Sequence, residues 1–422
     1  MAERSWRVLA AAVSLLLLAG AASPARADDD LCGPFISLRL ELRPVIPTDV
    51  GIAGSDHAFG CLMWQSFIYL NWPAKAAGEP DPAAPFGRPG VTVWETYKRH
   101  DEVFRPRGET PAPWGVPDRS HGGARALAIV SQADGGTLVD RAGRPVYYEM
   151  LINRDEFEYV VAHRLYEAQA QLAFARENGI VLPAGPTAAY GRIGTIELKA
   201  AWKVLSPAEL AQQPVRFHTA EAVLADGVRA TVGLIGMHLN QRVTGFTQGV
   251  WASFLQVDSA PLAGGDGHAH AYSFYDPDCA RCEVNAATVP PQSTQVQQVF
   301  PVAPSVRGIN AAAHAMIRDA DPQSPWQFYE LLGVQWPQFA LGLPTPVPDP
   351  YRHLPHGLPL AIGTPSTHTL MNPVIETFHQ SPNVSCLGCH AASATAALAG
   401  SVPLAADYSF LLGHAQPADQ ER

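Results

Sequence analysis

Arg229-Ala-Thr-Val-Gly-Leu-Ile-Gly-Met-His-Leu239 is the stretch that decides the fold. It is too short for a membrane span and almost wholly apolar, with β-branched residues and glycines where a helix would want Ala, Glu or Lys. It therefore reads as a strand buried on both faces. Its neighbours share the period of two. Over Gly194–Val204, Ile196, Leu198, Ala200 and Trp202 fall on one side, and Glu197, Lys199 and Lys203 on the other. Gly249–Val257 reads as a third strand. The middle of the chain is thus a sheet of antiparallel type, open or closed into a barrel.

Helical spacing takes over on either side. Ser55 is placed to cap a helix carrying Phe59, Leu62, Met63, Phe67 and Leu70, stopped at Trp72-Pro73. Asp155–Glu177 reads as one long helix with Gly179 just past its end. Shorter helices are expected at Val93–Val103, Asn310–Arg318 and Trp326–Leu332, and 259–308 reads as loop. Residues 343–373 hold eight prolines and little periodicity, and read as a linker. The expected fold class is α+β. A large mixed domain at 28–342 has a central sheet flanked by helices, and a small, mostly helical segment at 374–422 is docked on it.

The chain has 422 residues, 47% of them hydrophobic and 16% charged, with 35 Gly and 38 Pro in no regular period. That excludes collagen, coiled coil and bulk disorder. A formal charge of -10 argues against nucleic acid and anionic membranes as partners. Residues 1–27 have the form of an export signal: Arg4 and Arg7, an apolar run over 8–20, then Ala25-Arg26-Ala27. The run is too short to span a bilayer, and no later run is longer. The expected compartment is a bacterial periplasm.

Six cysteines must then be placed in oxidising surroundings: Cys32, Cys61, Cys279, Cys282, Cys386 and Cys389. The last two lie in Cys386-Leu-Gly-Cys389-His390, a C-x-x-C-H run. Two thiols on one helical turn can reach the two vinyl groups of a haem, and the next histidine then falls under the iron. The competing reading is a disulfide beside an incidental histidine. Cys279-Ala-Arg-Cys282 is followed by Glu283 instead of His, so no second haem is expected. The expected reading is a disulfide; with His268 and His270 the pair also has the composition of a tetrahedral metal site, which is the alternative. The simplest pairing is Cys32 with Cys61 and Cys279 with Cys282.

On the run Cys386–His390 the chain resembles the c-type cytochromes. Further segments are similar to large exported bacterial proteins of uncertain role with one C-terminal haem motif. They are Trp64–Ala74, Val232–His238, Phe254–Asp258 and Asp407–Leu412. The resemblance implies one covalent haem c, with Cys386 and Cys389 as attachment points and His390 as proximal ligand. It implies nothing about a substrate. Small cytochromes usually carry a methionine ligand after the motif. Here all six methionines precede it, and only 32 residues follow His390. Distal candidates are therefore Met371, His379, His414 and His238, with an open position as the alternative. Arg216-Phe217-His218 and His353-Leu-Pro-His356 read as surface or loop histidines.

No G-x-S-x-G elbow, P-loop, Rossmann fingerprint or H-E-x-x-H is present. The expected function is periplasmic electron transfer by one covalent haem c, with a redox protein as partner and the oligomeric state left open. The alternatives are an oxidoreductase with a substrate site in the large domain or an open iron, and more remotely a haem-based sensor.

Overall fold

A computed structural model describes residues 31–32, 38–49, 55–76, 78–116, 124–133, 135–187, 189–191, 193–337, 369–382 and 384–418. The expected export signal, His353, His356 and most of the expected linker lie outside those residues.

The molecule is mixed helix and strand, built on one curled, half-barrel sheet of eight strands. These are β1 (Lys98–Arg99), β2 (Arg125–Leu127), β3 (Tyr147–Ile152), β4 (Ile196–Val204), β5 (Thr219–Leu224), β6 (Arg229–Val243), β7 (Phe246–Gln256) and β8 (Tyr329–Gln335). The described helices are α1 (Asp56–Leu70), α2 (His100–Val103), α3 (Arg154–Ala162), α4 (Ala168–Asn178), α5 (Pro207–Leu210), α6 (Pro304–Ala320) and α7 (Cys386–His390).

β6 is the axis. One edge pairs with β4 from Val232 to Gln241. On the other edge, its first half pairs with β5 and its second half with β7. All pairings are antiparallel except β2 with β5. Two-sided coverage is why the Arg229–Leu239 stretch is so apolar.

The first face of the sheet presents Leu198, Ala200, Met237, Leu239, Ala252 and Phe254. α1 lies on it. Phe67 stacks on Phe254 at 4.2 Å, Trp64 meets Phe254 edge-on at 5.2 Å, and Ser66 Oγ donates to Gln241 Oε1 at 2.6 Å. α6 packs behind α1, where Asn310 Oδ1 accepts from the Trp64 indole at 2.7 Å. The cap by Ser55 is present, its Oγ accepting from Ala58 N at 3.1 Å.

The second face presents Glu197, Lys199, Gly236, His238, Asn240, Trp251, Ser253 and Gln335. The alternation along β4 promised a polar side, and it is real, but that side does not face water. The C-terminal segment covers it. A second hydrophobic cluster joins that segment (Ala396, Leu404, Ala406, Leu411, Leu412, Ala415) to α3 and α4 (Phe157, Val160, Leu172, Ala175).

Several elements differ from expectation. The single helix over Asp155–Glu177 is two, α3 and α4, broken where Arg164 takes φ +53°. The break lets Leu165 and Tyr166 turn into the second cluster. Gly179 does cap the second helix, with φ +69°. Trp326–Leu332 is a 3-10 turn (Pro325–Phe328) running into β8, so tertiary pairing with β7 overrides local helical spacing. α6 begins at Pro304, inside the stretch read as loop. Val93–Val103 splits into a 3-10 turn, β1 and α2. The C-terminal segment is mostly irregular: its described regular elements are α7 and two 3-10 turns, Thr377–His379 and Leu411–His414. Some of its backbone groups bond side chains of the sheet, as the Val374 carbonyl does Tyr148 and Leu387 N does Gln335, and others bond within the segment, as Thr395 N does the Leu404 carbonyl.

Candidate functional site

The site assembles where the polar face of the sheet meets the C-terminal segment. Asn372 fixes the segment's entry: its amide donates to Ser253 Oγ and to the Phe254 carbonyl, both at 2.9 Å. Gly236 is required opposite, since a Cβ there would lie 2.6 Å from Val374 Cγ2. Tyr148 from β3 donates to the Val374 carbonyl at 3.0 Å. At the other end of the sheet, Gln335 Oε1 accepts from Leu387 N at 2.8 Å and docks α7.

α7 is a single turn holding the C-x-x-C-H run. Ser385 caps it, its Oγ accepting from Gly388 N at 2.9 Å. Cys386 is buried, Cys389 is exposed, and neither is in a disulfide. Burial raises both thiols, and the charge of Glu376 adds to it, so both stay protonated. His390 follows. Its Nδ1 lies 2.8 Å from the Tyr408 carbonyl. A carbonyl can only accept, so Nδ1 carries the proton and Nε2 keeps its lone pair. Burial pushes the imidazole down to about 4, leaving it neutral at ordinary pH. The Trp251 and Phe410 rings stand 4.3 and 4.8 Å from it.

The four distal candidates are not equivalent. His238, on the covered face, lies with Nε2 2.9 Å from Glu376, and both act electrostatically on His390. Burial alone would raise Glu376, but His238 and Lys199 pull it below the usual carboxylate range. Met371 is buried at the segment's entry. His379 is exposed, and so is His414, whose ring lies 5.2 Å from that of His100 on α2.

The remaining cysteines pair as Cys32–Cys61 and Cys279–Cys282. The sulfurs of the second pair are thus bonded to each other, and His268 and His270 are exposed beside that loop. His270 instead meets Asp258, Nδ1 to Oδ1 at 3.0 Å. Among the described residues no group of three or more His, Cys, Asp or Glu side chains is arranged to hold a metal ion. His218, expected at the surface, is buried. It stacks on Trp326 at 4.7 Å and lies 3.1 Å from Glu95. Glu95 in turn joins Arg125, which is clamped between Trp94 and Trp202 and bonded to Glu149.

Sequence reasoning missed the charged cluster under the site. Arg242 at the end of β6 is fully buried and ion-pairs with Asp407 at 2.8 Å. Beside it, Glu156 from α3 and Glu197 from β4 face each other, also buried. Both Glu156 oxygens and Glu197 Oε1 lack an ordinary donor. Burial, and then the charge and hydrogen bond of Glu197, raise Glu156 well above the usual range; burial raises Glu197 too, although its hydrogen bond with Glu156 works the other way, so Glu156 holds the proton and Glu197 accepts it. The available signal was positional: Arg242 falls two and four residues beyond Asn240 and His238, on the same face of one strand.

No family model, curated protein or solved structure matches this chain. Its function must be read from the site itself. Among the described residues no helix is long and apolar enough to cross a membrane.

Proposed function

We propose that the chain is an exported electron-transfer protein carrying one haem c. Attachment is through Cys386 and Cys389, and His390 is the proximal ligand. The observation that carries the reading is the His390 imidazole: neutral, with Nδ1–H spent on the Tyr408 carbonyl and Nε2 left to ligate. Metal-binding histidines characteristically donate their other ring nitrogen in this way. The two unpaired thiols on the same turn complete the fit, in a chain whose other four cysteines are paired.

Haem c, when bound, supplies a one-electron couple. The chain's residues do the rest. α7 presents both thiols from one turn, and Gln335 pins that turn to β8. Trp251 and Phe410 flank the imidazole and restrict its rotation. The exposed Cys389 edge faces solvent, where a redox protein can approach, and the acidic net charge favours a basic partner. The two disulfides and the N-terminal signal pattern support export, the condition under which this attachment occurs.

An absorption spectrum of the exported protein tests the reading: oxidised, reduced with dithionite, and reduced under carbon monoxide. A reduced spectrum of c-type haem unmoved by carbon monoxide supports electron transfer. A spectrum that shifts moves the function to binding or catalysis at an open iron. A colourless protein, expressed with a competent maturation system, refutes the reading.

A further inference from the structure

The backbone that receives His390 is strained. Asp407 and Tyr408 are consecutive non-glycine residues in the left-handed region, φ +48° and +63°. Side chains disfavour that region, and two in succession persist only where surroundings over-determine them. The strain has a result: it aims the Tyr408 carbonyl at His390 Nδ1, 2.8 Å away.

What holds the turn comes mainly from one residue of the sheet. Arg242 Nη1 donates to Asp407 Oδ2 at 2.8 Å, and its Nη2 donates to the Asp407 carbonyl. The guanidinium thus grips side chain and backbone of the strained residue together, a geometry that only its planar fork can make. Leu182 N donates to the same Asp407 Oδ2 at 2.7 Å, closing the grip from the loop after α4. Arg242 itself is immobilised, fully buried and bonded to the Thr247 carbonyl across the β6–β7 turn. A fully buried charge at the end of a central strand needs a reason, and packing alone would be served better by an apolar side chain.

We propose that Arg242 and Asp407 are positioning residues. They hold the Asp407–Tyr408 turn so that its carbonyl fixes the His390 tautomer and, with haem bound, lowers the reduction potential by making the proximal imidazole a stronger donor. Neither residue is part of the C-x-x-C-H run, and no sequence pattern joins them to it. The link is spatial: sheet to turn to imidazole. The electrochemical part rests on the haem reading; the tautomer part does not.

The full-length chain is labelled with nitrogen-15 at histidine, and the ring nitrogens of His390 are read by NMR before haem loading. The reduction potential is then read on the loaded protein. Wild type should show one tautomer, protonated at Nδ1. In Asp407→Asn, which keeps the side-chain shape and tolerates the left-handed backbone, and in Arg242→Lys, which keeps the charge but loses the fork, both tautomers should appear and the potential should rise. Should one variant fail to fold, the other decides. A control, Asn310→Ala on α6, should lower the melting temperature and leave both readouts at wild-type values. Folded variants with a melting temperature lowered like the control's, but with wild-type tautomer and potential, would overturn the proposal. A wild-type chain that takes up no haem refutes the haem reading, and the tautomer result still decides the brace.

Discussion

The two faces of the central sheet solve different problems with the same strands. One face is closed by α1 and α6 through aromatic packing: Phe67 on Phe254, Trp64 edge-on beside them, Trp326 against Phe67. The other is closed by an irregular chain segment through placed polar contacts: Asn372 on Ser253, Gln335 on Leu387, Glu376 on His238, Arg242 on Asp407. Apolar packing is non-directional and tolerates slippage, whereas hydrogen bonds fix orientation. A sheet that must hold an imidazole by its Nδ1 needs the second kind of contact on that side. The difference teaches that the apolar face supplies stability and the polar face supplies position.

The sharpest break is on the polar face. On the proposed haem reading, replacing both thiols of α7, Cys386→Ala with Cys389→Ala, should abolish covalent haem while circular dichroism and the two disulfides stay as in wild type. On the apolar face, Phe67→Ala should cost about 3–5 kcal/mol of stability, the range for a buried aromatic, read by denaturant unfolding. The spectrum of the folded fraction should not change. A shifted spectrum would mean that the faces are not separable.

A smaller effect should follow from Gly236→Ala, which introduces a Cβ 2.6 Å from Val374 Cγ2. Overpacking at such a site costs about 1–3 kcal/mol. Here the loss should appear as faster proteolysis of the C-terminal segment, with α1 still protected. If α1 opens at the same rate, the segment is no separate cover.

The effects of pH are graded over several units, and they run in opposite directions. Glu95 is held at about 2: burial raises it, and His218 and Arg125 more than reverse that. A depressed acid gives stability above its unfolded value, and that stability is lost as pH falls from about 4.5 toward 2. Glu330 on β8 is raised by burial to about 7. A raised acid favours the folded state while protonated, so its contribution is lost as pH rises from about 4.5 through 7. In Glu330→Gln the decline over that upper range should flatten, and in Glu95→Gln the acid limb should flatten. Melting temperatures across pH 2–8 read both.

How much of this was legible in the sequence follows the same division. Period-two alternation located β4, an almost wholly apolar run located β6, and the Ser55 cap located α1, because burial writes itself into local pattern. The C-x-x-C-H run and both disulfide pairs were legible from spacing. What was not legible depended on distant partners. β8 carried helical spacing and became a strand only because β7 offers an edge. The C-terminal segment is expected from the sequence to dock on the large domain, but nothing local in it says that the segment lies against the polar side of β4. Glu376, Arg242 and Asp407 carry no motif. Their roles come from meeting His238, the Asp407 turn and Arg242 across separations of more than a hundred residues.

The central claim is that the covered polar face presents a covalent haem. The most direct measurement is the intact mass of the chain after export in a host with c-type maturation, denatured before analysis. The account predicts the mass of the processed chain plus one haem, and the unmodified mass for the variant lacking Cys386 and Cys389. A wild-type chain at the unmodified mass, or one that loses the added mass on reducing disulfides, would contradict it.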